Sequence, residues 1–578
     1  MDDQRFTMNR RRFMALSATG LGSPLMPGAL AAVAQDAETI TIEMIEAAQK
    51  IAGLSFTREE QQWILKRLNG KRSPLAAFDT LRAANLGNST QPAIVFNPVP
   101  PGKELPSERR PLKRQEINVS MPATDEELAF LPVTHLAKLV ESHQIKPTEL
   151  TELYLARLKN HDPMLHCVVN LTEEHAHRQA KRADEEIAAG TYRGPLHGIP
   201  WGAKDLLAVR GTKTTWGASP YKDQVIDTDA TVYRQLTEAG AILIAKLSVG
   251  ALADGDQWFG GQTRNPWNTE QGSSGSSAGP GSATAAGLVG FSIGTETGGS
   301  IMSPSARNGV TGLRPTFGRV SRYGAMTRAW TMDKIGPMCR SAEDCALVFD
   351  VIYGPDGKDN TVLDVPFNWD ATADVTKLRV GYRRLAFEGE IPEDPENPER
   401  AALRRQTRKN NEQALRVIRS LGVEVVPFEL PDVPTEALGF IENTEAAVAF
   451  DEPTRSGKLN LIKELPEESH GPADHFRTAR FVPAVEYIQA NRLRMQVMEE
   501  VDEAMSDLDL FISAVGQGSS VYLTNLTGHP AISMPSGFFQ GSPTNLMFTG
   551  KLFGEPEILL LAHAFQAQTD HHLKHPKF

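Results

Sequence analysis

Apolar residues recur at helical spacing in ITIEMIEAAQKIAG and REEQQWILKRLNG, which predicts helices within residues 38–85. Ala176, Ala180, Ala183 and Ile187 follow a 4, 3, 4 spacing with charges between them, predicting an amphipathic helix over 173–189. WGAKDLLAV and AGAILIAKL read as strands. The small-residue run ATAAGLVGFSIGTETGGSI reads as a packed helix, a strand and a glycine turn. Further on, KLRVGY, RRQTRKNNEQALRVIRSLG and VEVVPFEL form a βαβ-like run across 377–430. DLFIS predicts a late strand, and a helix starts near 556. Helix and strand signals alternate from about 125 onward, so 125–578 is expected to be one large α/β domain. The Pro-rich, polar stretch 87–124, with PVPPGKELP and SERRPLKR, reads as an ordered arm or linker and not a second catalytic domain. Together with the early helices it makes an extension over 35–124.

Composition adds limits. The chain has 578 residues, 40% hydrophobic and 23% charged, enough for a large core. Its net charge is −11 with no basic stripe, which argues against nucleic acid as a partner. No run of 18 apolar residues is present, so no membrane span is expected. Cys167, Cys339 and Cys345 show no CxxC or metal spacing; Cys339 and Cys345 are close enough in sequence to pair, but buried free thiols are the preferred reading. Residues 1–34 differ from the rest. Asn9-Arg10-Arg11-Arg12-Phe13-Met14, a weakly apolar stretch and Ala32-Val33-Ala34 resemble a twin-arginine signal with its cleavage site. This implies an exported, periplasmic or secreted protein. The segment carries four arginines and two aspartates, so the chain beyond it is two charges more negative than the whole.

Three blocks carry candidate chemistry: Lys204 in GIPWGAKD, the serine run QGSSGSSAGPGSATAAG at 271–287, and GTETGGS ending at Ser300. A serine nucleophile needs a base to take its proton and donors for the negative charge that develops on its target. No histidine lies in these blocks apart from His197, just before Gly198. Lysine can serve as the base if desolvation holds it neutral, and the apolar stretch Trp201 to Leu207 offers such a setting.

In this order the blocks resemble the amidase signature family. The matching residues are Gly198-Ile199-Pro200 with Lys204-Asp205, Asn265-Pro266-Trp267, Gly275-Ser276-Ser277, and Gly294 to Ser300. GLRPTFGRVSRYG, DKIGPMCRSAEDCALVFDVIYGPD and NLTGHPAISMPSG are also similar to the family, so the resemblance covers about 125–570. Ser276 lies 24 residues before Ser300, as the family pattern requires, which leaves Ser273 and Ser274 as loop residues. The resemblance implies a mixed, twisted β-sheet covered by helices on both faces. It also implies a Ser-cisSer-Lys trio: Lys204 takes a proton from Ser276, which relays it from the nucleophile Ser300. The Gly275–Ser276 peptide would be cis, with Ser277 in support. The backbone N–H groups of Thr297, Gly298, Gly299 and Ser300 would form the oxyanion hole. The product would be a carboxylate plus ammonia or an amine, with a small-molecule amide as substrate and no cofactor or metal. Three positions depart from the family: Met302 replaces an arginine, Glu296 a commoner aspartate, and Pro280 a glycine or serine.

Other readings use the same residues. Gly275-Ser276-Ser277-Ala278-Gly279 satisfies G-x-S-x-G with Ser277 as nucleophile, but polar NPWNTEQGSS precedes it where an apolar strand is required. Ser219 and Lys222 satisfy S-x-x-K without companion motifs, and the histidines of TDHHLKHPKF near Asp570 read as a polar tail before a metal site. Trp258 reads equally as pocket wall or core. Two further functions fit the fold. One is the amidase subunit of a tRNA-dependent amidotransferase, a cytosolic role that an exported acidic chain suits poorly. The other is a non-catalytic binding protein, which should have lost Lys204, Ser276 or Ser300. Specificity is expected in 210–228, 320–335 and 440–485, and the helices of 38–85 could form a homodimer surface.

Overall fold

A computed structural model describes residues 40–577 apart from 71–74, 85, 389–390, 392–393, 395, 465–471 and 517–519. The twin-arginine segment lies outside the described residues. The chain divides into two compact units, at residues 86 and 87.

The first unit contains the helices Ile42–Ile51, Arg58–Leu68 and Ala76–Ala83. Thr41 caps the first helix, and Thr57 with Glu60 forms a capping box on the second, satisfying donors that a helix start leaves free. Asn69 bonds both backbone groups of Ile40, closing the pair.

The second unit is built on an eleven-stranded sheet. Its order is Val168–Leu171, Ile242–Leu247, Pro200–Lys204, Phe291–Glu296, Lys334–Cys339, Thr311–Arg314, Ala531–Phe539, Ser542–Gly550, Leu510–Ser513, Val380–Arg383 and Val425–Phe428. Pro200–Lys204 runs parallel to both neighbours, as does Val380–Arg383, and the other pairs are antiparallel. The sheet is therefore mixed, and helices flank it. Pro200–Lys204 and Ile242–Leu247 are buried throughout, as interior strands covered on both faces must be. Trp201 stacks on Phe291 across the two strands, 5.9 Å between ring centroids. The helix expected over 173–189 spans Glu173–Ala188 and buries Ala176, Ala180, Ala183 and Ile187.

The Pro-rich arm belongs to this second unit. Its Lys113 exchanges backbone hydrogen bonds with Trp369 and Ala371 and pairs with Asp370 at 2.8 Å. Asn88 bonds both backbone groups of Thr327, and the Arg494 guanidinium lies 3.7 Å over the Phe96 ring. The three cysteines are buried free thiols. Among the described residues no helix is long and apolar enough to cross a membrane.

Candidate active site

Two adjacent parallel strands deliver the site. Lys204 is the last residue of Pro200–Lys204, and Glu296 is the last of Phe291–Glu296, with Ser300 four residues on. Carboxyl ends of parallel strands are where open α/β sheets gather functional groups. The serine run enters from the side and turns at Ser277 into the helix Ala278–Ala285. Pro280 sits in its first turn, where the missing N–H removes no helical bond. The Gly275–Ser276 peptide is cis. A Cβ on Gly275 would lie 1.8 Å from the Gly255 carbonyl oxygen, so only glycine fits there.

Lys204 is fully buried. Its Nζ has four neighbours: Ser276 Oγ at 2.9 Å, Ser277 Oγ at 2.9 Å, Thr295 Oγ1 at 2.8 Å and the Thr295 carbonyl at 3.2 Å. Among the described residues no carboxylate lies within ion-pairing distance of it. Burial pushes its pKa well below the ordinary lysine value, against a smaller opposing pull from Asp333 and Glu296. Lys246, also fully buried, makes the contrast. It pairs with Asp205 at 2.9 Å, and Asp205 also accepts from the backbone N–H and hydroxyl of Thr215.

The hydrogen-bond directions separate the two serines. The Ser277 hydroxyl donates to the Thr295 carbonyl at 3.0 Å and accepts the Thr295 N–H at 3.1 Å, so its proton is spent. A neutral lysine has two protons and one lone pair. The Thr295 carbonyl can only accept, and Ser277 has already given its proton. The Ser276 and Thr295 hydroxyls are therefore the groups left that can donate to a Lys204 lone pair, and of these two Ser276 lines the cavity.

Ser276 and Ser300 line one cavity of about 210 Å³, together with Gly275, Thr297, Gly298 and Gly299. Ser276 is 1% exposed, and Ser300 is half-buried. The Ser277 N–H donates to the Ser300 carbonyl at 3.2 Å, locking the two segments together. Among the described residues no hydrogen bond joins the Ser276 and Ser300 hydroxyls, and such links commonly tighten only around substrate. The N–H groups of Gly298, Gly299 and Ser300 donate to no acceptor among the described residues. Gly299 has φ of +146°, which a side chain would disfavour.

Glu296 anchors this loop from below. Its Oε2 accepts the N–H groups of Ile301 and Met302 at 2.7 and 2.8 Å, capping the helix Met302–Asn308 that follows the serine. Its Oε1 accepts from Arg314 at 2.9 Å and Asn525 at 2.7 Å. Burial pushes the Glu296 carboxyl up, but Arg314, Asn525 and the Met302 N–H outweigh it and hold the pKa below the ordinary value. A positive charge reaches the loop from Arg314, on Thr311–Arg314. Met302 itself is fully buried among apolar neighbours.

Asp333, in the DKIGP block, accepts the Thr297 hydroxyl at 2.7 Å and the N–H groups of Arg328 and Ala329 at 2.8 and 3.0 Å. Arg328, Glu442 and Asp254 also line the cavity. Motif reading missed these three, although Arg328 and Glu442 fall in two of the spans expected to set specificity. The third span, 210–228, contributes no lining residue. The described residues of 440–485 are largely helical, with Phe440–Ala449, Asp451–Arg455 and Pro472–Ala479.

The remaining candidates fall elsewhere. His197 is buried, accepts the Arg193 N–H at 3.1 Å and faces Glu186. Trp258 donates to the His166 carbonyl at 3.0 Å and does not line the cavity. Ser219 bonds Glu464 by its hydroxyl and its N–H. Among the described residues no cluster of His, Cys, Asp or Glu could hold a metal ion.

The Amidase family model matches residues 149–520, and the chain belongs to that family, the amidase signature enzymes. Its similarity to particular members is broad. It is 31% identical over 483 residues to a subunit of glutamyl-tRNA(Gln) amidotransferase from Marinomonas sp. (strain MWYL1), covering 77% of this chain and 98% of that one. It is 33% identical over 477 residues to the same subunit from Roseiflexus sp. (strain RS-1), covering 75% and 95%. Among solved structures, native peptide amidase from Stenotrophomonas maltophilia matches with a TM-score of 0.66 at 28% identity, covering 77% of this chain and 98% of that one. A bacterial aryl acylamidase matches at 22% identity with a TM-score of 0.66, covering 78% and 99%, a likeness of fold alone.

Proposed function

We propose that this enzyme cleaves the C–N bond of a carboxamide through an acyl intermediate on Ser300. The observation that carries the reading is a buried lysine, with no carboxylate in ion-pairing distance among the described residues, held against Ser276, which lines the same cavity as Ser300. As Ser300 Oγ attacks the carbonyl carbon, its proton passes to Ser276, and the Ser276 proton passes to neutral Lys204. The carbonyl oxygen gathers negative charge against the N–H groups of Thr297, Gly298, Gly299 and Ser300. One such donor is worth about 2.7–4 kcal/mol in the barrier. The relay then reverses and protonates the departing nitrogen, which leaves as ammonia or an amine. Water attacks the ester by the same route and frees the carboxylate and Ser300.

A second reading is favoured by the curated relatives, whose names are those of one component of an amidotransferase. In it the same serine chemistry releases nitrogen for a tRNA-borne acceptor held by partner subunits. By name these relatives support it over a free-standing amidase. Assaying the purified chain alone against a panel of small amides separates the two. Ammonia or amine release without partners supports the hydrolase. Release that needs added partner proteins and charged tRNA supports the amidotransferase. We further propose export through the twin-arginine segment, which fits only the first reading.

A further inference from the structure

The wall of the cavity beyond Ser300 is ionic. Arg328 is 8% exposed: Nε donates to Glu442 Oε1 at 2.9 Å, one terminal nitrogen donates to the carbonyls of Leu252 and Ala253 at 3.2 and 3.4 Å, and the other terminal nitrogen has no acceptor among the described residues. Glu442, in the first turn of Phe440–Ala449, uses one oxygen for that pair. Its other oxygen accepts no hydrogen bond among the described residues. That oxygen lies 3.1 Å from the point a Cβ on Gly298 would occupy, so it stands beside the oxyanion loop. The Asp254 carboxylate, also on the cavity wall, has no hydrogen-bond or ion-pair partner among the described residues.

The charges do not balance. Two carboxylates, Asp254 and Glu442, face one guanidinium. In a cavity of about 210 Å³ these charges must lie close to any bound substrate. An anionic substituent there would meet Asp254 and Glu442, while an ammonium group would find acceptors for its donors. The frame is rigid, since Asp333 ties the Arg328 backbone to Thr297 of the oxyanion loop.

We propose that Glu442 and Asp254 are specificity-determining residues that select carboxamides bearing a protonated amine close to the scissile carbonyl. This rests on the hydrolase reading of the cavity. Charge-assisted hydrogen bonds of this kind favour the cationic substrate over a neutral isostere by about tenfold or more.

The test uses three amides of one shape near pH 7: alaninamide (cationic), isobutyramide (neutral) and 2-methylmalonamate (anionic). The expected kcat/KM order is cationic, neutral, anionic. The cationic-to-neutral ratio should collapse toward one in Asp254→Asn and Glu442→Gln, a change that a purely structural role would not produce. Two variants are used because Glu442→Gln also loosens Arg328. Equal or better turnover of isobutyramide or 2-methylmalonamate by the wild type overturns the proposal and leaves the hydrolase reading standing. So does a ratio that neither variant alters. Binding of the same amides to Ser300→Ala, read by saturation-transfer NMR, separates the two failures. Preferential binding of alaninamide with no turnover of any amide by the wild type supports charge selection and sinks the hydrolase reading.

Discussion

Arg314→Met tests the support beneath the nucleophile. Arg314 is fully buried and bonds Glu296 at 2.9 Å, Thr524 Oγ1 at 2.9 Å and the His529 carbonyl at 2.8 and 3.2 Å. The substitution leaves Glu296 with three donors, the N–H groups of Ile301 and Met302 and the Asn525 amide, and no countercharge. Removing one member of a buried ion pair costs about 3–5 kcal/mol. A loss of about 4 kcal/mol lowers the folding constant roughly a thousandfold. Met302 lies on the same loop, so Met302→Arg should behave oppositely in the two backgrounds. In the wild type it adds a second buried guanidinium and destabilises. In Arg314→Met it restores a countercharge. The double variant should therefore be more stable than additivity allows, by about 0.5–3 kcal/mol. Urea titration of the four proteins reads this directly. The pH dependence provides a second check. In the wild type the depressed Glu296 pKa contributes stability above the ordinary 4.5, lost as pH falls through the folded value. Without Arg314 that pKa should move up, so the loss of stability from this group as pH falls should shrink. A loss under about 1 kcal/mol, or strictly additive midpoints, would refute the argument that Arg314 supplies the countercharge to Glu296.

Other consequences are equally open to measurement. Lys204→Met should lower kcat by about 10²–10⁴. Because the folded pKa of Lys204 is depressed, wild-type stability should rise with pH from that value up to the ordinary 10.5, and urea midpoints of Lys204→Met should lack this slope. Ser277→Ala removes a bond to Lys204 but not the relay proton, so its kcat should fall less than that of Ser276→Ala under steady-state assay. Gly298→Ala places a Cβ 3.1 Å from Glu442 and 3.2 Å from the Tyr522 ring, and should cut kcat by about tenfold or more with little change in the urea midpoint. Expression with residues 1–34 intact should yield a periplasmic product lacking them, read by fractionation and intact mass.

Much of the fold is legible because burial follows period. The 4, 3, 4 run of Ala176 to Ile187 gives its helix to within a residue, and the apolar run ILIAKL gives an interior strand. Spacing against the family pattern points to Ser276 and Ser277 as the serine pair. Ser273 and Ser274, the more conspicuous pair, lie off the cavity, with Ser273 donating to the Ser274 carbonyl. What stays hidden is what tertiary contact decides. Arg314 reaches Glu296 from another strand, a pairing that the local sequence around 302 does not show. Glu442 and Arg328 are 114 residues apart and meet only because the helix Phe440–Ala449 packs over the cavity. Asp254 sits in a loop with Leu252 and Ala253 at positive φ, a conformation with no signature in ALADGD.

The most direct test of the central claim is the site of covalent modification by a fluorophosphonate probe. Wild type and Ser300→Ala are treated in parallel, and the adduct is mapped by mass spectrometry. The account predicts one adduct, on Ser300, absent from the variant. An adduct on Ser277, or none on folded wild-type protein, would contradict it.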